Sequence, residues 1–167
     1  MTNEQVQNLF YLIHDKSHIL PPGKTGHNGD ILFTPDTLAR PEVALYRGLS
    51  EEDVSFLEGM VTDRAMFSTY PGYLSFSENF HVAKSFARGY KTRNLLHIIK
   101  PRLEAPEGIN VPVLLEPHIN HNDEEEIFML KSAKQEREWI FRKPRVVIKR
   151  VDTRDGYRIW KATLVTV

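Results

Sequence analysis

The part of the chain that most limits its fold lies near the C-terminal end. Residues 145–151 and 157–167 are two runs rich in β-branched and aromatic side chains, and Asp155-Gly156 stands between them. Asp-Gly between two such runs signals a tight hairpin, because both residues tolerate the positive φ that the turn requires. A long hairpin needs further strands or a helix to cover it, so an all-helical fold is excluded. Further strands are expected at residues 43–49, 73–77, 95–99 and 113–115. Helical spacing of Val6, Leu9, Phe10 and Ile13 predicts a short amphipathic helix over residues 3–14. Ser50-Glu51-Glu52-Asp53 is a capping box, with Ser50 capping and Asp53 reaching back, for a helix to about Met60 that buries Val54 and Leu57. Residues 78–88 carry the stripe Val82, Ala83, Phe86 and Ala87, and Ser77 is the expected N-cap of that helix. The class is α+β. The 167 residues suit one domain, in which residues 1–42 form a helical cap and loop and residues 43–167 the core.

Composition narrows the chemistry. With 22 basic and 22 acidic residues the formal net charge is zero, so any surface for a polyanion must be local. The chain has no cysteine, which excludes disulfides, thiolate metal sites and cysteine nucleophiles. His14, His18 and His27 match no common ligand spacing, and no metal is expected. The N-terminal residues MTNEQVQNLFYLIHDK lack a basic start followed by a long apolar run, and no window resembles a membrane span. The expected location is the cytoplasm, with delivery by a signal-less export route leaving no mark in the sequence.

Three places carry candidate chemistry. In residues 131–141, KSAKQEREWIF, an extended reading puts Glu136 and Glu138 on one side, followed by a buried Trp139-Ile140-Phe141 strand. Like charges so placed repel, unless a ligand or cation uses both. Arg47-Gly48 ends a strand, where a guanidinium presents a planar fork to phosphate and a glycine admits close backbone approach. Ser75 alternates with Leu74 and Phe76, and its hydroxyl, set among aromatic neighbours, needs a partner if buried. Lys91, Arg93, Arg142, Lys143, Arg145, Lys149 and Arg150 are candidates for a local basic face, although basic residues on a strand face usually only meet water. Residues 118–126, HINHNDEEE, read as an exposed acidic loop.

The order Arg47-Gly48, then Ser75-Phe76-Ser77 before a VAKSFA helix, then Glu136-x-Glu138 before an aliphatic strand, resembles the Arg–Ser–Glu class of mono-ADP-ribosyltransferases. The middle residue departs from the family's Ser-Thr-Ser: Phe76 keeps both serines but removes a hydroxyl. The resemblance covers residues 43–165 and implies the ADP-ribosyltransferase fold, with two packed, mostly antiparallel sheets flanked by a few helices, NAD as substrate and no metal. It also implies transfer of ADP-ribose to a macromolecule: to protein arginine by the glutamate at position 136, with a nucleic-acid acceptor as the alternative. Water as acceptor, giving an NAD glycohydrolase, and a catalytically silent binding module are rival outcomes. The implied roles place Glu138 on the nicotinamide ribose, Ser75 as its orienting partner and Glu136 at the acceptor, with residues 130–135 as a loop touching the target. Arg47, Gly48, Ser75 and Ser77 would hold NAD, with Arg88 as a further phosphate candidate. Phe86 or Tyr90 would stack on nicotinamide, although Phe86 on an apolar helical stripe reads more readily as core. The implied setting is a toxin, effector or phage-encoded modifier, for which an antitoxin or immunity protein is a conceivable partner.

Overall fold

The structure, a computed structural model, describes residues 1–14, 29–62, 68–70, 72–99 and 106–165. The helices are α1 (Asn3–His14), α2 (Glu51–Thr62), α3 (Phe80–Gly89), α4 (Val111–Leu115) and α5 (Glu124–Glu136). The strands are β1 (Leu38–Ala39), β2 (Leu45–Gly48), β3 (Ser68–Thr69), β4 (Tyr73–Ser77), β5 (Asn94–Ile98), β6 (Gly108–Asn110), β7 (Glu138–Arg142), β8 (Arg145–Arg154) and β9 (Tyr157–Val165). Among the described residues they form one ladder, β1-β6-β7-β4-β2-β5-β9-β8-β3. It is antiparallel throughout except for the parallel pair β5–β9. The fold is α+β, as the strand and helix signals imply. The two expected sheets are joined into this ladder, but narrowly: β4 and β2 share the single bridging pair Tyr46↔Ser77. The candidate site lies at that seam.

The hairpin forms as its sequence demands. β8 and β9 pair from Arg145↔Val165 to Arg154↔Tyr157, and Asp155 and Gly156 both take positive φ, 53° and 79°. In β9, Trp160, Ala162 and Leu164 enter one core cluster, whereas Tyr157 and Ile159 face α3 on the opposite side. Burial on both faces gives β7 its continuous apolar run. Trp139 and Phe141 join the cluster of Trp160 and Leu164, and Ile140 joins a second cluster with Leu9, Leu32, Leu115 and Leu130. The N-terminal residues thus contribute α1 to that second cluster and β1, through Leu38↔Ile109, to the sheet edge.

Two expectations fail for local reasons. Residues 113–115 are helical, within α4: Pro112 sits in the first turn, where its fixed φ suits a helix and its missing N–H costs nothing. Val111 and Leu115, four apart, then face the core together. The acidic segment and the first half of KSAKQEREWIF are also helical. Asp123 caps α5 by accepting from Glu125 N and Glu126 N, and Glu124, Glu125 and Glu126 favour the positive end of its dipole. Leu130 and Ala133 bury its inner face.

Candidate active site

Arg47 sits one residue before the end of β2, beside the seam. Its Nη1 donates to the Ser75 carbonyl at 3.1 Å and its Nη2 pairs with Asp53 Oδ2 at 3.2 Å. Asp53 is placed by the capping box: Ser50 N donates to its Oδ2, and its own N–H bonds Ser50 Oγ, each at 3.2 Å. One interaction set therefore caps α2 and aims the guanidinium across β2 towards β4. Each Nη retains a second N–H for a ligand. The buried Nε has no hydrogen-bond partner among the described residues.

Glu138 is the first residue of β7 and is 1% exposed. Ser75 Oγ donates to its Oε2 at 2.6 Å, a short charge-assisted bond. The register explains the pairing: Ser77↔Glu138 and Ser75↔Ile140 put both serines and Glu138 on one face of the antiparallel pair. This is the partner that the Ser75 hydroxyl required.

Glu136 does not share an extended segment with Glu138. It closes α5, and Arg137 between them adopts the left-handed conformation, φ 48° and ψ 58°. The corner, not alternation, sets the two carboxylates relative to one another. Glu136 nevertheless lines the same cleft as Arg47, Ser75 and Ser77. Residues 130–135, expected as a loop, are the last turns of α5.

Ser77 is not the cap of α3. Asn79 takes that place, accepting from His81 N at 3.0 Å. Ser77 Oγ instead donates to the Glu136 carbonyl and accepts from Asn79 N at 2.9 Å, so its hydroxyl proton is already engaged within the protein.

The cleft opens between the seam and α3. Gly48 is demanded by that helix: a Cβ there would stand 2.5 Å from Ala87 N, 2.7 Å from Phe86 Cβ and closer still to the Ala83 carbonyl. Phe86 is 43% exposed, because Ala83 and Ala87 alone turn α3 onto the sheet. It stacks on Tyr90, with ring centroids 6.5 Å apart and planes 22° from parallel, and both rings line the cleft. Arg88 is exposed on α3 and does not line the cleft. Nor do the candidate basic residues: Arg142 pairs with Asp30 at 2.8 Å, Arg150 pairs with Asp152 at 3.2 Å, and Lys149 is exposed.

Tyr46 also lines the cleft, a residue that sequence reasoning passed over although it directly precedes Arg47. It lies against His97, ring centroids 4.8 Å apart. Burial, then the nearby Lys161 and Arg150 charges, pushes the His97 pKa down. No group of three or more His, Asp or Glu that could hold a metal exists among the described residues; His18 and His27 lie outside them.

The fold matches solved structures at low identity. The Clostridium limosum C3 exoenzyme superposes over 99% of this chain and 86% of its own, with TM-score 0.57 and 14% identity. An ADP-ribosyltransferase from Clostridium botulinum gives TM-score 0.56 over 99% and 88% at 12% identity. The chain has the ADP-ribosyltransferase fold. Vis, an ADP-ribosyltransferase toxin from Vibrio splendidus solved with agmatine, gives TM-score 0.55 over 99% of this chain and 75% of its own, at 12% identity. Against a longer ADP-ribosyltransferase from Pseudomonas syringae the chain spans 46% of the relative's length at TM-score 0.49, a likeness too loose to carry an argument. No protein-family model and no curated protein sequence matches.

Proposed function

We propose that this chain is an NAD-dependent mono-ADP-ribosyltransferase whose acceptor is a protein arginine. The observation that carries the reading is the buried Ser75–Glu138 bond, with Ser75, Arg47 and Glu136 lining one cleft. The fold alone would not justify it, since one fold hosts many functions.

In the reaction the bond between the ribose C1′ of NAD and the nicotinamide nitrogen breaks, and nicotinamide leaves with the bonding pair. The ribose becomes cation-like, as in glycoside hydrolysis. Glu138, fixed and dry, accepts a hydrogen bond from the ribose 2′-hydroxyl, and its negative charge favours the transition state over bound NAD. Ser75 holds the carboxylate in the required rotamer. The spare N–H groups of Arg47 take NAD phosphate oxygens, and the exposed faces of Phe86 and Tyr90 offer a stacking surface for the nicotinamide ring. An arginine nitrogen of the acceptor attacks C1′ from the opposite face, and Glu136 orients the guanidinium and takes its proton as the new C–N bond forms. The agmatine in the Vis structure is a guanidinium compound and supports this acceptor class. In this account the protein acts as a toxin or effector on a target in the cytosol.

Labelled NAD incubated with the protein, alone and with cell lysate, tests the reading. Transfer to macromolecules that protease removes, nuclease spares and Glu138→Ala abolishes is the expected outcome. Nuclease-sensitive label would make the acceptor a nucleic acid. Free ADP-ribose without transfer would make the protein an NAD glycohydrolase, and absence of turnover would make it a binding module.

A further inference from the structure

A second groove opens where α1 meets the start of α5. It is lined by Phe10 and Tyr11 of α1 and by Asp123, Glu125, Glu126 and Met129. Phe10 and Met129 lie against the second core cluster and are only partly buried, so the floor is apolar and open. Tyr11 is 41% exposed, and Phe128, on the same turn of α5 as Glu125, is 68% exposed. The rim is acidic. Asp123 caps α5 and Glu126 Oε1 accepts from Asn120 N at 3.1 Å, but the Glu125 carboxylate accepts no hydrogen bond among the described residues. Among those residues no ion pair neutralises Asp123, Glu124, Glu125 or Glu126, and Lys134, further along α5, is taken by Glu116 at 2.6 Å. Capping and the helix dipole favour carboxylates in a first turn. They do not explain why these border open apolar side chains, an arrangement that marks interaction surfaces.

The groove and the cleft share α5. Glu125, Met129, Ser132 and Glu136 recur at helical spacing and so lie along one side of it. Glu125 and Met129 line the groove, and Glu136 lines the cleft. At about 1.5 Å per residue the two places lie about 10–16 Å apart along the helix, the reach of about three to five extended residues.

We infer that the α1–α5 groove docks a basic, extended segment of the acceptor protein, a few residues away from the arginine that enters the cleft. The inference rests on the proposed transferase reading and deepens it by naming where the acceptor is held. The floor of Phe10, Tyr11 and Met129 takes an aliphatic side chain. Lysines on either side of it lay their stems along the groove and bring their ammonium groups to Glu125 and its neighbours. The charge of the rim selects basic partners and repels acidic ones. Agmatine carries no such segment, so the groove serves protein acceptors and leaves transfer to the small molecule untouched.

The test uses fluorescent peptides with a single arginine and, about four residues to either side of it, a Lys-Leu-Lys block or a Ser-Ser-Ser block. Binding to the full chain is measured by anisotropy, without turnover, for the wild type, Glu125→Lys and Tyr11→Ala. The wild type should bind the lysine peptide about 10-fold more tightly than the serine peptide, the sum of a few exposed ion pairs and one buried aliphatic side chain. The preference should shrink to about 2-fold or less in either variant, and in the wild type at high salt. KM for the lysine peptide in ADP-ribose transfer should rise in step, with nicotinamide release and transfer to agmatine unchanged. Equal binding of the two peptides by the wild type, or a preference that survives both substitutions, would overturn the inference. So would a dimer of the wild type that either substitution dissolves, since the groove would then belong to a second copy of the chain. Failure of the wild type to release nicotinamide would refute the transferase reading separately, because the peptide preference is read without NAD.

Discussion

Removing the Ser75 hydroxyl is the most quantitative perturbation of the site. Its bond to Glu138 is 2.6 Å long, and the carboxylate is 1% exposed, so water cannot readily replace the lost donor. A hydrogen bond to a charged group contributes about 1.5–3 kcal/mol. At about 2–4 °C per kcal/mol for a domain of this size, Ser75→Ala should lower Tm by about 3–12 °C. In a Glu138→Gln background the same change removes a bond between neutral groups, worth about 0.5–1.5 kcal/mol. A double-mutant cycle by urea denaturation should therefore show a coupling of about 1 kcal/mol or more between the positions. If the positioning also acts in the transition state, nicotinamide release in Ser75→Ala should fall about 10–100-fold, the kinetic equivalent of the same energy. Coupling below about 0.5 kcal/mol, the level seen for independent sites, would refute the argument that Ser75 holds a buried carboxylate.

Gly48→Ala drives a methyl group into the backbone of α3, which cannot yield as a side-chain tip would, and should cost about 1–3 kcal/mol, read as a fall in the urea midpoint. His97 makes stability depend on pH. Its folded pKa lies below the ordinary value of 6.5, so the unfolded chain binds the proton more readily. Stability should hold above pH 6.5 and decline as the pH drops from there towards the depressed folded pKa. Thermal melts of His97→Gln should show a shallower slope across that window. Phe86→Ala removes a ring that is 43% exposed and lines the cleft, so it should raise KM for NAD several-fold with little change in Tm; a large loss of stability would return Phe86 to the core.

Much of this architecture can be read from the chain, and the reasons differ by element. Asp155-Gly156 dictates the hairpin because so few residues accept two consecutive positive φ angles. Ser50 and Asp53 announce α2 because the capping box is local chemistry, and Ser75 meets Glu138 because alternation holds within β4 and β7. The failures arise where one local signal was set against another. Asp123-x-x-Glu126 followed by Leu130 and Ala133 is a helix start with a helical stripe, but its run of carboxylates reads as a solvated loop. Carrying α5 to Glu136 leaves no room for alternation between Glu136 and Glu138. Phe86 shows the opposite error. Its place beside Ala83 and Ala87 on a helical wheel suggests burial, yet the small side chains let α3 approach Gly48 closely and leave the larger ring at the rim. Ser77 precedes a helix as a cap would, but Asn79 lies closer to the first turn and takes the role.

In the proposed reaction Glu138 assists departure of nicotinamide from NAD. Single-turnover release of nicotinamide by the wild type and by Glu138→Gln, both checked for equal Tm, tests it most directly. The expected rate is about 10²–10³-fold lower in the variant, the typical loss when one preorganised transition-state contact is removed. Equal rates in two equally folded proteins would contradict it.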